Sequence, residues 1–143
     1  MARVKKIVLI EHPAPKMFVL VDKVEDYPLF LPWCGNTELL ERTDAITKAT
    51  IHVHYHGVRT QFTTENDKEY ARHIVIKLLD GPFHHMLGTW VFTPLGDTAC
   101  KIEFSLAWEF SSKILEKAVG PVFGHIANTM VDSFVKRADQ LHL

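Results

Sequence analysis

The chain has 143 residues, the size of one domain that buries roughly 68% of its unfolded surface. Its 47% apolar and 23% charged residues are those of an ordinary globular protein, and sixteen basic against seventeen acidic side chains leave a formal charge of -1. That balance excludes a protein held to nucleic acid mainly by its net field, and DNA is not an expected partner. Two cysteines far apart, Cys34 and Cys100, exclude a disulfide framework and read as reduced, buried thiols.

Val4 to His12 alternates in the manner of a strand rich in β-branched residues, and Pro13 and Pro15 end it. The apolar run is too short for a signal sequence and no stretch has the length of a transmembrane helix, so a cytoplasmic protein is expected. Peripheral contact with the inner membrane is compatible with that expectation. Met17, Leu20, Val21 and Val24 place an apolar stripe on a short helix over 16–23. Glu25 to Gly35 then crowds Tyr27, Leu29, Phe30, Leu31, Trp33 and Cys34 around Pro28 and Pro32. The two prolines allow no more than one helical turn, around Asp26 to Leu31.

From Asn36 the period changes to two. Strands are expected at Thr37 to Arg42 and Ile46 to Val58, with Gly57 as a bulge or bend and pairing resumed from Thr60 to Thr64. Asn66-Asp67 is expected to turn, His73 to Leu79 to form a central strand, and Asp80-Gly81-Pro82 to turn again. Met86 to Leu95 and Cys100 to Phe110 follow, with a hairpin tip at Gly96-Asp97. Cys100, Ile102, Phe104, Leu106, Trp108 and Phe110 alternate strictly with polar residues, which predicts an antiparallel sheet with one buried face. After a serine N-cap, Leu115, Val119, Val122, Ile126, Met130, Phe134, Ala138 and Leu141 predict one long helix, kinked at Gly120-Pro121. The order predicts a single two-layer α+β domain over 1–143, a curved antiparallel sheet of six or seven strands facing one long helix.

Chemistry-bearing patterns are few. His52, His54 and His56 share one strand face at a spacing that can chelate a metal, but Ile51, Val53 and Tyr55 are the better inward set. The plainer reading is a solvated histidine face, with no metal. No Gly-x-Ser-x-Gly, no activating string around a cysteine, no phosphate-cradling glycine loop and no paired carboxylates stand out. No catalytic residue and no enzyme activity are expected.

Several strings carry a resemblance. Tyr27-Pro28-Leu29-Phe30-Leu31-Pro32-Trp33-Cys34, Asp80-Gly81-Pro82-Phe83, Gly88-Thr89-Trp90-Val91-Phe92, Trp108-Glu109-Phe110 and Gly120-Pro121-Val122-Phe123 together resemble the coenzyme Q-binding group of START-like (polyketide cyclase/dehydrase-like) proteins. Its bacterial members include the RatA ribosome association toxins, and the resemblance spans essentially the whole chain. It implies the helix-grip fold, with a deep apolar cavity between sheet and helix. It also implies one of two functions, carriage of ubiquinone or a similar polyprenyl quinone for respiration, or binding to the large ribosomal subunit so that it cannot join the small one.

The carrier is the reading that these residues favour, with no required cofactor, ubiquinone as the bound ligand and transient membrane contact. The expected pocket and mouth comprise Tyr27, Phe30, Leu31, Pro32, Trp33, Tyr55, Arg59, Phe83, Met86, Trp90, Phe92, Phe104, Trp108, Val122, Phe123, Ile126 and Met130. Tyr55, Arg59 and the Trp90 indole N–H are the groups expected to orient a quinone ring, although Arg59 is equally an ordinary surface cation. The Tyr27–Cys34 segment and Gly120-Pro121 would form a movable lid. The plain alternative is that the rings simply fill the core. For the ribosome reading, Arg3, Lys5, Lys6, Lys113, Lys117, Lys136 and Arg137 are the available contacts.

Overall fold

The computed structural model describes all residues, Met1–Leu143. Strand β1 (Ala2–Ile10) leads into helix α1 (Ala14–Asp22), a 3-10 turn at Val24–Asp26 and the single helical turn α2 (Tyr27–Phe30). Six strands follow, β2 (Cys34–Arg42), β3 (Ile46–Tyr55), β4 (Val58–Glu69), β5 (His73–Asp80), β6 (Phe83–Pro94) and β7 (Cys100–Phe110), and then helix α3 (Lys113–Leu141). The strands form one antiparallel sheet in the order β1-β7-β6-β5-β4-β3-β2, so the first strand closes beside the last. Register shifts at Cys34/Asn36, Leu39/Glu41, Thr63/Thr64 and Phe83/His85 put extra residues into the ladder, and such bulges bend a sheet. The concave face grips α3, as the helix-grip architecture requires.

Helix α3 spans 29 residues, about 44 Å at 1.5 Å per residue. Ser112 caps it, its hydroxyl accepting from the Leu115 N–H at 3.1 Å. Pro121 lies inside the helix, which continues through it at the loss of one backbone N–H donor. Its buried stripe is Val119, Phe123, Ile126, Ala127, Val131, Phe134 and Ala138. The expected stripe is therefore turned slightly, with Val122 and Met130 on its half-buried flanks and Leu141 exposed.

Two turn assignments need correction. His56-Gly57 is no bulge within a long strand but the tip of the β3–β4 hairpin, with φ of 49° and 78°. Positive φ at both central residues is what a two-residue hairpin wants, and histidine is an uncommon occupant of that position. Asn66-Asp67 lies inside β4, paired with Thr47 and Ile46, and the chain reverses instead at Tyr70–Arg72, where Ala71 has φ 60°. The two-residue propensity yields there to six consecutive ladder pairs between β4 and β5, from Thr64 to Glu69.

The chain ends are tied together. His12 donates from Nε2 to the Asp139 carboxylate at 2.6 Å and from Nδ1 to the Leu143 carbonyl at 2.7 Å, joining the end of β1 to the last turn of α3. Both ring nitrogens face acceptors, so the ring is an imidazolium. Burial opposes that charge, but the Asp139 and Leu143 bonds outweigh it and hold the pKa above its ordinary value.

Candidate functional site

The inward aromatic residues converge on α3 in two clusters. Around Phe123 stand Phe83 at 4.8 Å, Trp108 at 5.1 Å and Phe62 at 6.0 Å between ring centroids. Around Phe134, about three helical turns further on, stand Trp90 at 5.4 Å and the rings of Tyr27 and Phe30 at 5.3 Å each. Trp90 packs in turn on Phe104 at 4.6 Å and stacks parallel to Phe92. Met86, Ile126 and Leu31 are buried with them. The aromatic part of the expected set is thus brought together, but its rings contact each other where an open cavity is expected.

The Tyr27–Cys34 hook does much of this filling. Leu31 and Trp33 are 1% and 2% exposed, and Cys34 is buried beside them. Tyr27 donates its hydroxyl to the Val21 carbonyl, and burial, followed by the nearby Asp22, pushes its pKa up. Phe30 is half-buried with the Arg137 guanidinium 5.4 Å over its ring. Pro32 and Leu29 face solvent. Burial pushes the Cys34 thiol up to about 11, which makes it a structural rather than a reactive sulfur. Half-buried Tyr55 stacks on His125 of α3 at 5.6 Å and 13°, closing the hairpin end.

Polar anchoring differs from expectation in two respects. Arg59 is exposed on the convex outer face of β4, lining a surface cleft with His52 and His54, so it is removed from the interior set. The indole nitrogen that stands out is that of Trp33, which is buried with no hydrogen-bond partner. A buried unpaired donor costs on the order of 1–3 kcal/mol, so it marks a place where an acceptor is wanted.

Sequence reasoning also missed a buried polar corner under α1. Asp22 accepts from Thr47 Oγ1 at 2.7 Å and pairs with Lys68 at 2.8 Å, whose side chain is only 5% exposed. Arg42 donates to the Asp22 carbonyl at 2.8 Å and forks onto Glu25 at 2.7 and 2.8 Å, and that hydrogen-bonded pairing holds the Glu25 carboxyl below its ordinary range. Asn66, opposite Thr47, keeps a buried Oδ1 with no partner. Apart from Glu25, these residues lie 20 to 46 positions from Asp22, and no local pattern announces them. On the outer face the three-histidine row is also corrected. His52 bonds Glu38 at 2.8 Å, His54 is exposed, and His56 sits in the turn.

Residues 10–135 match the family model for polyketide cyclase / dehydrase and lipid transport proteins. The ribosome association toxin RatA of Vibrio cholerae is 40% identical over 142 residues, covering 99% of both chains. The mitochondrial coenzyme Q-binding protein COQ10 homolog B of Xenopus laevis is 26% identical over 132 residues, with 89% of this chain and 54% of that protein aligned. Among solved structures, the Zhui aromatase/cyclase of Streptomyces sp. R1128 superposes with a TM-score of 0.79 at 19% identity, over 97% of this chain and 94% of that one, a likeness of fold. No helix is long and apolar enough to cross a membrane. Fold, inward rings and a family match over most of the length agree, and the chain belongs to the polyketide cyclase / dehydrase and lipid transport family of START-like proteins.

Proposed function

We propose that this protein is a non-enzymatic, cytoplasmic binding protein directed at the ribosome, meeting the large subunit and opposing its union with the small one. The observation that carries this reading is the end-to-end match at 40% identity to a protein named for ribosome association, against 26% to the coenzyme Q-binding relative. That ordering reverses the weight which the residues alone give to the carrier. The interior supports a binding role over catalysis, since burial raises both thiols, the wrong direction for a nucleophile. Arg3, Lys5, Lys6, Lys113, Lys117, Lys136 and Arg137 take part in none of the salt bridges, which leaves their charge available to phosphate. Overexpression followed by a sucrose gradient tests the proposal. A rise in free subunits at the expense of assembled ribosomes supports it, and an unchanged profile removes it.

A second activity, enclosure of a hydrophobic ligand such as ubiquinone with transient membrane contact, is favoured by one observation. The unpaired Trp33 N–H inside an apolar interior would be satisfied by a carbonyl oxygen. Each methylene of a prenyl tail removed from water contributes about 0.8 kcal/mol toward opening the packed rings. Organic extraction of the purified protein followed by mass spectrometry tests it. No lipid or quinone recovered, together with no binding of a short-tailed ubiquinone analogue, counts against the carrier.

A further inference from the structure

The outer face of the β2–β3–β4 sheet holds a cleft of about 610 Å³ that neither reading above uses. Two rows of side chains line it. Asn36, His52 and Gln61 sit side by side across the three strands, and one step along, His54 pairs directly with Arg59. Gly35 flanks His54, where a Cβ would come within 3.0 Å of the His54 Cβ, so the glycine keeps that side of the cleft open. Arg59 and His54 enter no salt bridge. Of the carboxylates on the neighbouring strands, Glu38 bonds His52, Glu65 pairs with Lys48, and Asp80 accepts from the Gly81 N–H.

A guanidinium directly opposite an imidazole, with no carboxylate between them, is an arrangement that an anion completes. The remaining polar lining side chains are the Asn36 and Gln61 amides, the His52 imidazole and the Thr60 hydroxyl, groups that donate and accept at base edges and sugar hydroxyls. Val53 is 2% exposed and half-buried Pro82 is the one other apolar lining side chain, so the cleft offers little to insert among lipid tails. We propose that this cleft is an RNA-binding site, in which Arg59 and His54 hold a phosphodiester while Asn36, His52 and Gln61 contact the adjoining sugar or base. The site deepens the ribosome reading and rests on it, because it assigns the face presented to ribosomal RNA.

Anisotropy of a fluorescein-labelled, mixed-sequence single-stranded RNA, titrated with the full chain at several salt concentrations, is the direct test. Arg59→Ala is expected to weaken binding about fivefold to tenfold and to lower the salt slope by about one. His54→Ala is expected to weaken binding within the same range, and Arg72→Ala, whose side chain pairs with Glu69 at the opposite end of β4, to leave it unchanged. Far-UV circular dichroism confirms that each variant is folded. No binding by the parent chain at low salt, or equal binding by all variants, overturns the site. Binding to phosphatidylglycerol vesicles in place of RNA also overturns it. Sucrose gradients separate the two levels of the proposal. Full subunit splitting by the Arg59→Ala/His54→Ala double variant rejects this face alone, whereas no splitting by the parent chain rejects the ribosome reading.

Discussion

Replacing Trp33 distinguishes a plug from a lid. The side chain is 2% exposed inside the apolar core, and truncation of a buried tryptophan to alanine typically costs 3–5 kcal/mol, here about 4. A chain of 143 residues has an unfolding entropy of roughly 0.3 kcal/mol/K, so that loss lowers Tm by ~13 °C. Trp33→Phe is the informative partner. It gives up part of the ring, on the order of 1–2 kcal/mol, but also removes a buried donor whose desolvation costs a similar amount. The net change is expected within about 1 kcal/mol, or ~3 °C. Differential scanning fluorimetry reads both variants. A Trp33→Ala loss below about 1 kcal/mol would show that the hook is a loose lid, and equal losses for the two variants would show that the indole N–H is satisfied. The same pair bears on ligand binding. Trp33→Phe should bind a ubiquinone analogue about tenfold more weakly, a loss of ~1.4 kcal/mol, while leaving affinity for an alkane of equal length unchanged.

His12→Ala should cost about 1–2 kcal/mol, since it removes two hydrogen bonds, one to a carboxylate, at the C-terminus of α3. Because the folded-state pKa is raised, this contribution is complete below the ordinary imidazole value of 6.5 and is lost as pH climbs through the folded-state value. The Tm gap between parent and variant should therefore narrow as pH rises above about 6.5, and a constant gap would refute the imidazolium assignment. Asp22→Ala should cost about 3–5 kcal/mol by leaving Lys68 buried and unpaired, whereas Asp22→Leu combined with Lys68→Met should recover most of it. Urea denaturation of the two variants measures the difference, and equal losses would mean that Lys68 reaches water when its partner is gone.

The architecture was legible because its signals are periodic. The six alternating residues of β7, the turns at Asp80-Gly81-Pro82 and Gly96-Asp97, and the Ser112 cap each report local geometry through local chemistry. Errors fell where tertiary pairing overrides a short motif. Asn66-Asp67 has turn chemistry, yet it is held extended by β3 on one side and β5 on the other. His56 adopts positive φ without the glycine or asparagine that usually signals it. For the site, facing direction followed from alternation, and the inward rings lie together in the core. Arg59 was misplaced because a cation one step from a hairpin tip fits either side of the sheet. The Asp22–Thr47–Lys68 corner and the His12–Asp139 clasp join residues 25 to 127 positions apart, and separations of that kind leave no trace in a periodic pattern. Whether packed rings enclose a space or fill it is likewise a matter of shape, which residue type does not encode.

The central claim is most directly tested with purified ribosomal subunits, mixed at a magnesium concentration that permits association and followed by light scattering. Adding the protein before mixing should lower the amplitude of association in proportion to its concentration, with the protein co-sedimenting on the large subunit. Full association at saturating protein, with no co-sedimentation, would contradict a ribosome-directed function for this fold.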